Sequence, residues 1–147
     1  MRFRDMDRRD WIKAMGAAAM LGLAGAGASE AQDGSGDETV YELRIYHLNE
    51  GQQPLILERF RKKEMEIFAR CGMHGVGYWV PTDEPLAGRT IVYMLRHKSR
   101  DAATESWKKF GADPEWIALK AETEKNGPFV KLHESTFLKL TDFSPKV

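Results

Sequence analysis

The segment Thr90–His97 (TIVYMLRH) carries large apolar groups on both of its faces, and this restricts the fold more than any other feature. Successive side chains of a strand point to opposite sides of the sheet. Ile91, Tyr93 and Leu95 therefore oppose Val92 and Met94, and neither set is cheaply left in water. A sheet built around this strand has to be covered twice. One layer of helices from the same chain can cover one face, and the other face has to meet something else.

The rest of the chain supplies the parts. Thr39–Leu48 (TVYELRIYHL) alternates, with Tyr41, Leu43, Ile45 and His47 on one face and Glu42, Arg44, Tyr46 and Leu48 on the other. Gly51 breaks this strand, and Pro54 opens a helix that runs to Cys71. Leu57, Phe60, Ile67, Phe68 and Cys71 form its apolar stripe, with Arg59, Lys62 and Glu66 opposite. Gly72 is placed for a left-handed cap. Met73–Val80 reads as a second strand whose two glycines mark a bulge or a close approach. Turn residues from Pro81 to Gly88 lead into the Thr90 strand as a hairpin. Ser99 caps a helix that ends at Gly111, and Asp113-Pro114-Glu115 starts another. Asn126-Gly127-Pro128 stops that helix, and Phe129–Leu140 is a fourth strand.

The order is β-α-β-β-α-β with a second helix in the latter half. The fold class is α+β: a ferredoxin-like protomer with an antiparallel four-stranded sheet and helices on one face. The uncovered apolar face is most economically buried against a second copy, sheet to sheet, so a homodimer is expected.

Ahead of this domain stands an export leader. Asp7-Arg8-Arg9-Asp10-Trp11-Ile12-Lys13 holds a twin-arginine pair, Ala14–Ala28 is a charge-free run of 15 residues, and Ser29-Glu30-Ala31 offers small residues at a peptidase site. Fifteen residues fall short of the ~20 a membrane span needs. The competing readings are an uncleaved anchor and a cytosolic amphipathic helix. The expected divisions are residues 1–31 as signal peptide cleaved after Ala31, 32–38 as flexible linker, 39–143 as the domain and 144–147 as a tail. The expected location is periplasmic or extracellular by the twin-arginine route, with membrane contact only during export. The leader takes five of the 22 basic and four of the 22 acidic residues, leaving 17 against 18. That balance gives no footprint for nucleic acid. The single cysteine, Cys71, excludes an intramolecular disulfide and reads as a small buried hydrophobe.

Several segments together resemble the NIPSNAP family. Val40-Tyr41-Glu42-Leu43-Arg44-Ile45-Tyr46 is similar to the family's opening strand, and Leu57-Glu58-Arg59-Phe60 and Gly75-Val76-Gly77-Tyr78-Trp79 follow in the family's order. So do Trp107-x-x-Phe110-x-x-Asp113-Pro114-Glu115-Trp116 and Thr141-Asp142-Phe143-Ser144-Pro145. The resemblance implies a dimeric α/β-barrel of ferredoxin-like protomers and carries no catalytic residue onto this chain. The same architecture hosts cofactor-free monooxygenases, haem-degrading enzymes and plain binding proteins, so it does not choose among functions.

Candidate chemistry is sparse. His47, His74, His97 and His133 stand apart without metal-ligand spacing, and no phosphate loop or nucleophile elbow is present. No cofactor or metal is expected. Glu64 lies within the apolar stripe of the first helix, where a carboxylate must be paired or neutralised. It is a candidate proton carrier, with His47 a second, and the competing reading is a structural ion pair with Arg44 or another strand residue. Arg44, Tyr46, Trp79, Tyr93 and His133 form a constellation of polar-tipped groups suited to a small apolar ligand, or equally to filling a dimer interface. Trp107 and Trp116 read as helix packing. Three functions remain open: binding of a small, mostly apolar ligand between sheet and helices; a cofactor-independent oxygenase or isomerase; and a structural or interaction module.

Overall fold

The computed structural model describes residues 38–147; the twin-arginine pair Arg8-Arg9, the cleavage point after Ala31 and most of the 32–38 linker lie outside the described residues. Strand β1 is Val40–Leu48, β2 is His74–Trp79, β3 is Thr90–His97 and β4 is Val130–Leu138. The strands form one antiparallel sheet in the order β2-β3-β1-β4. Helix α1 (Gln53–Arg59) passes through a π-helical turn, Phe60–Glu64, into α2 (Met65–Arg70). Helices α3 (Arg100–Ala112) and α4 (Pro114–Thr123) connect β3 to β4. This is the ferredoxin-like α+β arrangement, an antiparallel four-stranded sheet with helices on one face.

The two faces of the sheet differ. Ile91, Tyr93 and Leu95 of β3, with Tyr46 and Leu48 of β1, face the helices and join Ile56, Phe60, Ile67, Phe68 and Phe110 in one core. Edge-to-face and stacked rings fill its centre; Phe60 lies 5.4 Å and Phe68 6.1 Å from Tyr93 between ring centroids. On the other face Leu43, Ile45, Val92 and Met94 are half-buried, and Trp79 and Leu132 are exposed. Cross-strand pairing puts Ile45 beside Val92, and Val92 beside Trp79. Strand β4 is the edge next to β1, and it is exposed along most of its length on both faces.

Local chemistry explains the boundaries. Gly72 adopts φ 93°, the left-handed conformation that closes α2. The two glycines of β2 have distinct causes: the ladder slips between Gly75 and Gly77, and the Trp79 ring lies where a side chain at Gly77 would project. Ser99 caps α3 by accepting from the Ala102 amide at 3.1 Å. Asp113 caps α4 through the Glu115 and Trp116 amides.

Two expectations are corrected. Gly111 does not end α3, which continues to Ala112. A glycine weakens a helix without breaking it. The stop comes at Asp113, which is extended because Pro114 follows it. Arg59, expected on the solvent face of the first helix, is buried at 4% exposure. The π-turn is the reason. Each residue of a π-helix advances less than the 100° of an α-helix, so residues five apart share a face, as Arg59 and Glu64 do here.

Candidate functional site

Glu42 is the third residue of β1 and points toward the helices with 1% exposure. A buried carboxylate is costly unless its lone pairs are satisfied, and here all are. Oε1 accepts from Arg44 Nη1 at 2.9 Å and Ser135 Oγ at 2.7 Å. Oε2 accepts from Trp107 Nε1 at 2.7 Å and pairs with His97 Nε2 at 2.9 Å. Burial pushes its pKa up, but these four partners outweigh burial and hold it at about 2. Strands β1, β3 and β4 and helix α3 each supply one of the partners, so the carboxylate ties four elements together.

Arg44 leaves Glu42 along the same face. Its guanidinium lies over the Trp107 ring, 4.2 Å from the centroid, and Nη2 donates to the Tyr46 hydroxyl at 3.4 Å. Tyr93 donates to the same hydroxyl at 2.7 Å. Burial works against the Arg44 charge, but Tyr46, Tyr93 and Glu42 more than compensate, and its pKa lies above the ordinary arginine value. Burial, above all, pushes the Tyr93 hydroxyl well above the usual tyrosine range. His133 of β4 stands edge-on to Tyr46 at 6.2 Å and is exposed, as is Ser135. The helix side of β4 therefore forms an open shelf leading to Arg44 and Tyr46.

A second buried cluster surrounds Glu64. Arg59 Nε donates to Glu64 at 2.8 Å, and Arg59 Nη1 donates to Glu124 at 2.7 Å. The Arg59 guanidinium packs over Trp116 and Phe129. Burial raises the Glu64 pKa to about 7, more than the Arg59 charge and hydrogen bond lower it. Glu64 also helps burial hold Tyr78 up at about 12.

Of the five residues of the expected constellation, the fold gathers Arg44, Tyr46, Tyr93 and His133 on the helix side. Trp79 lies on the opposite face, because it pairs with Val92 rather than with a helix-facing residue. His47 is also on that opposite face, where Nε2 pairs with Glu134 Oε1 across β1 and β4 at 2.5 Å. Glu64 is on the helix side and pairs with Arg59 of its own helix, not with Arg44 or another strand residue. Sequence reasoning missed Glu42, His97 and Ser135, and the polar role of Trp107. The available signal was Glu42 itself, a carboxylate on the strand face that also carries Tyr46 and Leu48.

The space between sheet and helices is filled by aromatic rings. Two shallow depressions of about 200 and 210 Å³ lie elsewhere. One is bordered by Val40, Arg100 and Phe137; the other lies beside Tyr41, Met94 and the C-terminal Val147. Among the described residues, no group of three His, Cys, Asp or Glu side chains could hold a metal ion, and no helix is long and apolar enough to cross a membrane.

The NIPSNAP family profile matches residues 41–145. Among solved structures, the chain is similar to a NIPSNAP family protein of unknown function from Agrobacterium tumefaciens, at 25% identity and a TM-score of 0.63, over 74% of this chain and 94% of that one. A second NIPSNAP family protein from the same organism is 27% identical with a TM-score of 0.63, over 73% and 97% of the two chains. A monooxygenase of Streptomyces coelicolor, solved with nanaomycin D, is 17% identical with a TM-score of 0.50, over 76% and 95%, and shares the fold. No curated protein matches the sequence. The profile covers most of the chain in the order the strands and helices run, and the chain belongs to the NIPSNAP family.

Proposed function

We propose that this is an exported, homodimeric NIPSNAP protein that binds a small, mostly apolar ligand on the helix side of β1 and β4. One observation carries the reading: the four-partner Glu42 carboxylate holds Arg44 and Trp107 rigidly beside an exposed stretch of β4. Rigid, polar-tipped groups at the end of an open shelf are what orient a ligand. The site is an exposed surface at the sheet edge rather than an enclosed pocket, since the interior is filled. Dimerisation is supported by the uncovered face with Val92, Met94, Trp79 and Leu132, and export by the Arg8-Arg9 leader.

A second reading has its own support. The filled interior favours a structural or interaction module without a ligand. A cofactor-independent enzyme working through Glu64 or His47 has less, because Glu64 is engaged by Arg59 inside the protein and His47 by Glu134 on the far face. Native mass spectrometry of protein from the periplasm of its own host separates these readings. The proposal expects a polypeptide starting at or near Gln32, a dimer, and a mass excess of one small molecule per chain. Bare chains, under conditions where a control binding protein keeps its ligand, would favour the module. Protein recovered from the periplasm still beginning at Met1 would contradict the cleaved leader.

A further inference from the structure

We propose that the pole of this ligand that meets Arg44 and Tyr46 is an acceptor-only oxygen, either a carboxylate or a conjugated carbonyl. The inference rests on the ligand-binding reading above and names the chemistry that the ligand must present.

Donors and acceptors around Arg44 do not balance. Among the described residues, the anionic acceptor in this cluster is the Glu42 carboxylate, each of whose oxygens already has two partners; the Tyr46 and Tyr93 hydroxyl oxygens are neutral acceptors, and His97 Nδ1 is buried without a partner. At Arg44 and Tyr46 themselves, donors are in surplus. Arg44 has five N–H groups. One goes to Glu42 and one, at a long 3.4 Å, to Tyr46. Its Nε is sealed from water and has no acceptor among the described residues. The two tyrosine hydroxyls are linked at 2.7 Å, so whichever of them donates, one hydroxyl proton is left over. Because Tyr46 already accepts from both Arg44 and Tyr93, that spare proton belongs to Tyr46.

Buried polar clusters that serve only to hold a fold balance their donors and acceptors. An excess of donors, fixed in place and ending at an exposed strand, is complementary to an oxygen that can only accept. A cationic ligand is excluded by the same count, because the Glu42 lone pairs are taken. A dianion is disfavoured because the Arg44 charge is already balanced by Glu42 at 2.9 Å. A carboxylate and a conjugated carbonyl both meet the requirement, and they differ in charge.

Three probes with one ring system test this: 2-naphthoate, 2-acetylnaphthalene and 2-ethylnaphthalene, titrated against the folded domain and followed by NMR. At least one oxygen-bearing probe is expected to bind ten-fold or more tighter than 2-ethylnaphthalene. Preference for naphthoate identifies a carboxylate pole, and preference for the ketone a neutral carbonyl. Tyr46→Phe and Arg44→Lys, each checked for native thermal unfolding, should weaken the preferred probe at least three-fold more than they weaken 2-ethylnaphthalene. Equal binding of all three probes would overturn the acceptor-oxygen inference while leaving a ligand site in place. Unchanged binding of the preferred probe to both variants would overturn it as well. Failure of every probe to bind the wild-type domain would overturn both this inference and the ligand-binding reading.

Discussion

Glu42 and Glu64 are both about 1% exposed, yet their titrations move in opposite directions, and the difference lies in what surrounds each. Four partners hold Glu42 at about 2, whereas Glu64 has one donor and sits at about 7. Each group makes stability depend on pH with its own sign. For Glu42, stability is fully present above about 4.5 and is lost as pH falls toward 2. For Glu64, stability is fully present below about 4.5 and is lost as pH rises through 7, because the folded state keeps a proton that the unfolded chain releases. A shift of this size corresponds to about 3 kcal/mol for either group. Urea unfolding between pH 4.5 and 7.5 should therefore show a decline that Glu64→Gln abolishes; an unchanged slope in that variant would contradict the assignment. At neutral pH Glu64→Gln should cost less than about 1.5 kcal/mol, because the amide oxygen still accepts from Arg59 and Arg59 keeps Glu124. Arg59→Met should cost about 3–5 kcal/mol, since it leaves two carboxylates without their cation. Glu64 is legible in the sequence as a carboxylate on an apolar stripe. Its partner is not, because Arg59 is brought to that stripe by a local change of helical period.

The π-turn is a feature of the element rather than of any residue in it. Lys62 lies in its exposed middle, and Ile56 before it and Ile67 after it are both completely buried. One extra residue has been absorbed without rotating either end off the core. Deleting Lys62 should restore a regular α-helix, keep Arg59 and Glu64 on one face at a spacing of four, and leave stability within about 1 kcal/mol. Deleting Glu66, in the regular α2 segment, should turn Ile67 and Phe68 relative to the preceding turns and cost about 3 kcal/mol or more. Comparable losses in both deletions, measured by thermal unfolding, would contradict this reading of the turn. The extents of β1, β3 and α4 are legible in the sequence because alternation and capping residues are local signals. The burial of Arg59 is not, because a regular periodicity of 3.6 does not hold through the segment that contains it.

At the scale of the molecule, the residue pattern of β3 reveals two apolar faces but not which of them meets the helices. Tyr93 faces them and is fully buried, whereas Val92 lies on the open face beside Ile45 and Trp79. A charge should thus act differently at the two positions. Val92→Glu should leave a folded protein that sediments as a monomer, and Tyr93→Glu should unfold it. A Val92→Glu protein that still sediments as a dimer would contradict an interface on that face. The same division of faces explains why the candidate site is only partly legible in the sequence. Arg44, Tyr46, Tyr93 and His133 are brought together by cross-strand register, which adjacent residues do not reveal, and Trp79 is carried away by it. Trp107 and Trp79 mark the two faces, and their indole N–H resonances report which one a ligand meets. Titration of the oxygen-bearing naphthalene probes into 15N-labelled domain is the most direct measurement of the ligand-binding claim. The Trp107 resonance, whose N–H donates to Glu42, should shift on saturation while that of Trp79 stays in place. Movement of Trp79 with Trp107 unchanged would put the ligand on the open face and contradict a site at Arg44 and Tyr46.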